Sequence, residues 1–313
     1  MTETACSDRA TRPRVDVGVV TWNTSDLTVA ALRRLLDHDS GCDIRLLVRD
    51  NGSGDGTAEA VARHVPEAEL DAGSRNLGFA AGMNTLLRRS DAPWFLALNS
   101  DAWPEPGALA ALVGAGERLP RAAATAPRLE RPDGSVEHST HRFPSLRVSA
   151  MTAVGGYRWW GRKAGDDQLL AGVWQHDRPR LVDWAVGAAL LMRRAAIDDV
   201  GPFDERYFMY VEDLDWCWRA HRAGWQIAFE PDAVVRHVGN ASGAQQFGRA
   251  RPTAYMRNTY DFYRRHHGPL STVAFRLLNL TGAARLYLLA RARGDATEVG
   301  TWADHVRANL GGP

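Results

Sequence analysis

The chain has a single lysine. Among its 38 Lys and Arg residues only Lys163 is Lys, and 37 acidic residues leave a formal net charge of +1. A dedicated polyanion binder usually carries a basic excess, so the balance argues against that class. Cysteine is scarce too: Cys6, Cys42 and Cys217 lie far apart and fit no zinc or redox spacing. A reducing, cytoplasmic setting is therefore expected. The first fourteen residues, "MTETACSDRATRPR", lack the apolar core of a signal peptide and read as a flexible, solvated tail. No apolar run is long enough to span a bilayer. The most lipophilic stretch, residues 273–293, is interrupted by Arg276 and Arg285. It reads as an amphipathic helix, packed on the protein surface or lying in a membrane interface.

What is present is a regular alternation. "VDVGVV" (15–20), "IRLLV" (44–48) and "WFLAL" (94–98) are strand-like, while "LTVAALRRLL", "AEAVARHV" and "PGALAALVGAGERL" carry helical spacing. Strand–helix repeats of this length imply a parallel sheet covered on both faces. Ligands bind at the carboxyl ends of such strands. All three runs end in polar clusters: Thr21/Asn23, Asp50/Asn51 and Asn99/Asp101. Residues 131–181 have the Gly, Pro and charge content of long loops. Regular structure is expected to return with a strand over 182–194 and a helix carrying Leu214, Cys217, Trp218 and His221 on one face, ended by Gly224. "WQIAFEP" and "AVVRHVG" read as two further strands.

Three constellations carry candidate chemistry. "DNGSGDGT" (50–57) has the glycines of a dinucleotide loop, but Thr57 stands at the third fixed glycine and the segment follows the second strand. It is a turn with Asp55 or Thr57 capping the next helix, or a surface that a nucleotide approaches closely, with Asp50 accepting from a base edge. "NSD" (99–101) is a turn, or it presents one carboxylate to Mg2+ or Mn2+, ions that complete their shells with phosphate oxygens. His237 is a core histidine or an imidazole for that ion. "VEDLDW" (211–216) places acids where a helix dipole favours them. The same crowding raises a carboxyl pKa and suits it to take a proton.

Taken in order, "VVTWN" (19–23), "RDNGSGDGT" (49–57), "RNLGFAAGMN" (75–84), "LALNSDAWPEPGAL" (96–109), "RPDGSVEHSTHRFPS" (131–145), "VDWAVGAALLMRR" (182–194), "GPFDERYFMYVEDLDWCWRAHRAGW" (201–225) and "RHVGNASG" (236–243) resemble the family 2 inverting glycosyltransferases, especially their rhamnosyltransferase-like branch. The resemblance implies the α/β GT-A fold: a mostly parallel central sheet, helices on both faces and a Rossmann-like nucleotide-binding half. It implies a transferase domain over 15–245, with a nucleotide-sugar half (15–130) and an acceptor and catalytic half (131–245), followed by a helical extension over 246–313. Thr21, Asn23 and Asp50 would line the nucleobase and ribose pocket, with Asn51, Asn76 and Gly78 close to the nucleotide. Asp101 corresponds to the last residue of the Asp-X-Asp metal motif, and His237 to a later metal-binding His. Asn99 replaces the first Asp, which leaves the metal one carboxylate. Asp213 would be the general base, with Glu212 beside it near the acceptor.

The implied reaction is a single displacement at the anomeric carbon. A dTDP- or UDP-linked sugar, such as rhamnose or another deoxysugar, would pass to a hydroxyl of a glycan, a lipid-linked intermediate or a natural product. A divalent cation, Mg2+ or Mn2+, would neutralise the leaving diphosphate. No nucleic acid is expected as a partner, and residues 273–293 are a candidate contact with the inner face of a membrane. Among eleven Trp residues, Trp103 and Trp184 are candidates to stack on the acceptor, with Trp159, Trp160 and Trp174 nearby in sequence. Two other readings stand at this point. A nucleotidyltransferase would share the architecture but lacks its usual Gly- and Lys-rich loop here. A non-catalytic nucleotide-sugar binding protein would not need both Asp101 and Asp213.

Overall fold

The computed structural model of the chain describes residues 12–155, 176–239, 246 and 251–311. The alternating first third forms β1 (Arg14–Thr21), α1 (Ser25–Asp37), β2 (Asp43–Asp50), α2 (Thr57–His64), β3 (Glu69–Ala72), α3 (Phe79–Leu87) and β4 (Trp94–Asn99). These four strands lie side by side in the order β3-β2-β1-β4, all parallel. The register sets Thr21 beside Asp50 and Val20 beside Asn99. Three polar strand ends therefore meet at one rim, the rim where open parallel sheets take ligands.

The chain continues through β5 (Ala102–Pro104), α4 (Ala108–Arg118), β6 (Ala122–Glu130), β7 (Val136–Glu137), β8 (Thr140–His141) and α5 (Leu146–Val154). After the undescribed stretch come β9 (Arg180–Val182), β10 (Trp184–Ala185), β11 (Ala189–Arg193), α6 (Arg194–Val200), α7 (Glu212–Arg222) and β12 (Gln226–His237). The large sheet extends as β4-β11-β6-β12-β5. β4 explains its own uniform apolarity: Trp94, Leu96 and Leu98 face one core layer, with α1 and α4, while Phe95 and Ala97 face the other, with α3 and α7. All five are at most 4% exposed. A strand covered on both faces has no use for polar alternation, and each large side chain so buried contributes roughly 1.5–3 kcal/mol.

Three local expectations change. Residues 182–194 are not one strand: Asp183 and the loop Val186–Ala188 separate β9, β10 and β11. β11 runs antiparallel to both β4 and β6, so the second half of the sheet is mixed. That reversal delivers the 186–188 loop to the ligand rim beside the end of β4. "WQIAFEP" and "AVVRHVG" form a single strand, β12, whose register shifts between Glu230 and Val234. Pro231 falls in that irregularity, where its missing N–H breaks no ladder bond. The loop-like region 131–181 holds β7, β8 and α5, and Trp159, Trp160, Lys163 and Trp174 fall outside the described residues.

Three helices follow: α8 (Arg251–His267), α9 (Pro269–Arg293) and α10 (Ala296–Leu310). They share a small core of Met256, Tyr260, Tyr263, Phe275 and Ala308. α8 also sends Phe262 into the main core, edge-on to Trp218 of α7 with ring centroids 5.7 Å apart. The outer face of α9 is apolar and uncovered: Leu270, Val273, Leu277 and Leu288 are 86%, 58%, 58% and 63% exposed.

Candidate active site

At the end of β2 the chain turns on Asp50. Its carboxylate accepts from the backbone N–H groups of Gly52 and Ser53, at 3.1 and 3.0 Å, and from the Ser53 hydroxyl. The carboxylate is thus committed to shaping the turn. Asn23, with φ 51°, accepts from Gly54 N–H at 2.8 Å and fastens the β1 loop to that turn. Asn51 donates to the carbonyl of Gly78 at 2.9 Å, and Asn76 accepts from Gly78 N–H at 2.9 Å. Asn23, Asp50, Asn51, Asn76 and Gly78 are therefore one connected group. Thr21 differs, because its hydroxyl is fully buried within 3.0 Å of the Thr24 and Thr28 hydroxyls. Its side chain packs β1 against α1 rather than lining a pocket. Asp55 accepts from the N–H groups of Ser25 and Thr57, both at 3.1 Å, and so caps the helices on both sides of the turn.

Gly78 is required by shape. It sits at φ 83°, ψ 177°, a conformation open essentially to glycine alone. A Cβ there would lie 2.2 Å from the Phe208 carbonyl oxygen. The loop before α3 thereby presses directly on the segment that leads into α7.

On the other side of the rim, β12 pairs with β5 so that His237 lies opposite Ala102, next to Asp101. His237 Nε2 is 3.4 Å from Asp101 Oδ1 and 3.3 Å from Asn99 Nδ2. Its Nδ1 is 2.8 Å from a carboxylate oxygen of Glu137. Burial alone would lower the histidine pKa, but its hydrogen bonds to Asp101 and Glu137 and their negative charge lift it to about 9. Carboxylate–histidine pairs of this form orient an imidazole toward a metal ion. Glu137 escaped the sequence reading because it lies in a polar, loop-like stretch with no periodicity. Among the described residues no set of three or more His, Cys, Asp and Glu is placed to hold a metal ion. One carboxylate oxygen and one imidazole nitrogen suit a hard-to-borderline divalent cation only if a bound diphosphate completes the shell.

α7 opens with Glu212 and Asp213, both buried. Asp213 accepts from Gly187 N–H at 2.8 Å and from Leu214 N–H at 2.7 Å. Glu212 is different, since one of its carboxyl oxygens is buried with no hydrogen-bond partner. Burial, reinforced by the neighbouring Asp213 charge, drives the Glu212 pKa well up. Burial also raises that of Asp213, opposed by its backbone N–H donors. Donors stabilise an ionised carboxylate and a naked buried oxygen does not, so Asp213 is the member suited to carry the charge. Tyr210 and Val211, immediately upstream, both adopt left-handed backbone, at φ 72° and 79°. Such positions cost of order 1–3 kcal/mol each, and a β-branched Val there is rarer still.

One loop joins the two halves. Asn99 N–H donates to the carbonyl of Ala188 at 2.9 Å, and the adjacent Gly187 N–H binds Asp213. The Asn99/Asp101/His237 group and the Glu212/Asp213 group are therefore tied to one and the same loop at the rim. The two tryptophans proposed for the acceptor are both packed. Arg34 stacks on the Trp103 ring at 4.1 Å, and Trp184 stacks on His141 at 4.6 Å while its indole N–H donates to the Arg142 carbonyl. Each is less than a tenth exposed, so neither offers an open ring face for a sugar.

A mixed α/β sheet that gathers polar strand ends at one rim is the architecture of the GT-A fold. Comparison with known proteins is in accord. Residues 16–171 match the family model described as Glycosyl transferase family 2. Over 240 residues, 72% of this chain and 76% of the other, the sequence is 35% identical to an N-acetylglucosaminyl-diphospho-decaprenol L-rhamnosyltransferase of Mycobacterium tuberculosis. A shorter stretch of 70 residues, 22% of this chain and 26% of the other, is 34% identical to rhamnosyltransferase WbbL of Escherichia coli. In three dimensions the chain resembles a mannosyltransferase from Pyrobaculum calidifontis in complex with GDP-Man and Mn2+, with TM-score 0.56 and 20% identity, over 97% of this chain and 82% of that one. It also resembles GalNAc-T7 with UDP, GalNAc and Mn2+, with TM-score 0.59 and 13% identity, over 97% and 56%. The chain belongs to glycosyltransferase family 2 and is a glycosyltransferase, and the relatives it resembles include rhamnosyltransferases. The nucleotidyltransferase and pure binding-protein readings are thereby set aside.

Proposed function

We propose that this enzyme transfers a deoxyhexose, rhamnose being the first choice, from a dTDP- or UDP-linked donor to a hydroxyl of a lipid-linked acceptor, with inversion. The single observation that supports the reading is the 187–188 loop, which binds both Asn99, at the end of β4, and Asp213, at the start of α7. The donor's nucleotide would rest on the connected loops of Asn23, Asp50, Asn51, Asn76 and Gly78. Asp101 and His237 would hold a divalent cation, with Glu137 orienting the imidazole; when bound, that ion neutralises charge developing on the diphosphate. Asp213, kept ionised by Gly187 and Leu214 N–H groups, takes the proton of the acceptor hydroxyl as it attacks the anomeric carbon. Such assistance is worth on the order of 10²–10⁴-fold in rate. Glu212, with its proton retained, would donate a hydrogen bond into the same space.

The acceptor assignment rests on the Mycobacterium relative, whose name specifies a polyprenyl diphosphate sugar, and on α9. That helix is 25 residues long and, by length and composition alone, apolar enough to cross a membrane, contrary to the expectation from sequence, and 22% of its most apolar window is buried. Leu270, Val273, Leu277 and Leu288 fall on one outward stripe. Residues 251–311 carry nine arginines and four acidic residues, in a chain of net charge +1. Apolar contact combined with basic charge is the pattern of interfacial anchoring at anionic lipid. The enzyme would then work at the cytoplasmic face of a membrane. Thermal-shift screening of dTDP-, UDP- and GDP-sugars, with and without Mn2+ or Mg2+, tests the donor assignment. A dTDP- or UDP-sugar that raises the Tm only with the cation present supports it. A preference for GDP-sugars, or stabilisation indifferent to metal, refutes it.

A further inference from the structure

We propose that Asn258, on α8 of the C-terminal extension, is a positioning residue for the acidic pair, acting by holding the left-handed Tyr210–Val211 turn. The proposal rests on the reading of Asp213 as general base and extends the catalytic unit beyond the transferase domain itself. Tyr210 and Val211 lie at φ 72° and 79° directly before Glu212 and Asp213. Two successive side-chain-bearing residues in that region persist only where their surroundings over-determine them. Here the surroundings are three consecutive carbonyls, each with a donor from outside the turn. Phe208 C=O accepts from Phe79 N–H at 2.7 Å. Met209 C=O and Tyr210 C=O accept from the Asn258 side-chain nitrogen, at 3.0 and 3.1 Å.

The chemistry of Asn258 matches that task. Its NH2 group carries two hydrogens in a plane, enough for two adjacent carbonyls. Because both partners are acceptors only, the nitrogen must be the atom that faces them, which settles the amide orientation. Aspartate is close to the same size but carries no proton when ionised, and would face two carbonyl oxygens with negative charge. α8 is a firm base for the clamp, since Phe262 is fully buried in the main core and Tyr255 meets Tyr210 edge-on at 6.4 Å. The turn is thus held by the donor loop from one side and by α8 from the other. If the α8 side is released, the first turn of α7 relaxes and Asp213 loses its alignment with Gly187 N–H.

A double-mutant cycle isolates this effect. Turnover of dTDP-L-rhamnose with a short-chain prenyl-diphospho-N-acetylglucosamine is measured for wild type, Asn258→Ala, Tyr210→Gly and the double variant. Hydrogen exchange of the peptide spanning residues 208–214 is followed alongside, and it needs no substrate. Glycine at 210 relieves the left-handed strain, so the clamp matters less in that background. Asn258→Ala is expected to lower kcat by roughly 10- to 100-fold, with donor KM within about twofold, since small misplacements of reacting groups cost that much. In the Tyr210→Gly background the same change is expected to cost less than about threefold, and exchange over 208–214 is faster only in the single Asn258 variant. Asn258→Asp, which keeps the size and removes the donors, behaves like Asn258→Ala. An equal cost in both backgrounds, or unchanged exchange in Asn258→Ala, overturns the proposal whether or not the substrate pair is right. Asp213→Asn in the same assay separates the two readings: full turnover there removes the base assignment and leaves the exchange result to judge the clamp.

Discussion

Asn99 and Asp213 are held by adjacent residues of one loop: the carbonyl of Ala188 accepts from Asn99 N–H, and Gly187 N–H donates to the Asp213 carboxylate. Gly187→Pro deletes the second of these bonds. Its expected effect is a fall in kcat of about 10- to 100-fold with nucleotide-sugar affinity retained. Gly187→Ala keeps the N–H and adds a Cβ only 3.4 Å from the Asp213 Cβ, an ordinary contact, and is expected to stay within a few-fold of wild type. Comparable losses in the two variants would show that the N–H is not what matters.

Glu212 makes stability depend on pH. Burial holds its carboxyl well above the ordinary value of 4.5, so the native state keeps this proton longer than the unfolded chain does. Below the ordinary carboxylate range both states are protonated. As pH rises above that range the unfolded chain gives up the proton while the native state still holds it, so stability falls until the native value is passed. Glu212→Gln removes that loss. The Tm of the variant should match wild type near about pH 4 and exceed it near about pH 8. Parallel Tm profiles across that range would mean that Glu212 ionises without penalty.

Glu137 is expected to matter for the cation rather than for the fold. Its carboxylate fixes the His237 ring from behind at 2.8 Å, and removing such an orienting partner typically weakens metal binding by about 10–100-fold. Glu137→Gln, titrated calorimetrically with Mn2+ in the presence of dTDP or UDP, should show that loss with little change in Tm. Undiminished Mn2+ affinity would place the cation elsewhere.

The α9 stripe has its own test. Leu270, Val273 and Leu277 are exposed and make little of the core, so a triple change to Glu should leave the Tm nearly intact. Co-sedimentation of the wild-type chain with phosphatidylglycerol vesicles is expected, weaker with phosphatidylcholine and weaker at high salt. The triple variant should lose it. Equal sedimentation of variant and wild type would assign membrane contact to another surface.

The sequence reveals those parts of the fold that repeat a period. β1, β2, β4, α1, α2 and α4 follow from apolar spacing, and the α7 face of Leu214, Cys217, Trp218 and His221 with Gly224 at its end is present at φ 87°. β3 was invisible because Glu69–Ala72 is short and only half-buried. The break of 182–194 into three strands was hidden as well, since Val, Trp, Leu and Met read as one strand until the loop's N–H and C=O groups find partners in Asp213 and Asn99. The candidate carboxylates Asp50, Asp101, Glu212 and Asp213 are legible by type and order, and Glu137 is not. Site residues that act through backbone were not: nothing in "GAAL" announces a donor for Asp213, and nothing in "MRNTY" announces an amide for two carbonyls. Thr21 and Trp103 erred in the opposite direction. Both have the right chemistry but turn inward, Thr21 at the end of β1 to a threonine cluster and Trp103 within β5 to Arg34.

The most direct test of the whole arrangement is the rate of sugar transfer by Asp213→Asn, set beside its affinity for the nucleotide sugar. An intact fold that binds donor and cation as wild type does, yet transfers sugar at least about a hundredfold more slowly, is the expected outcome. Transfer at a near-native rate would mean that the acceptor gives up its proton to some other group, and that Asp213 is not the base.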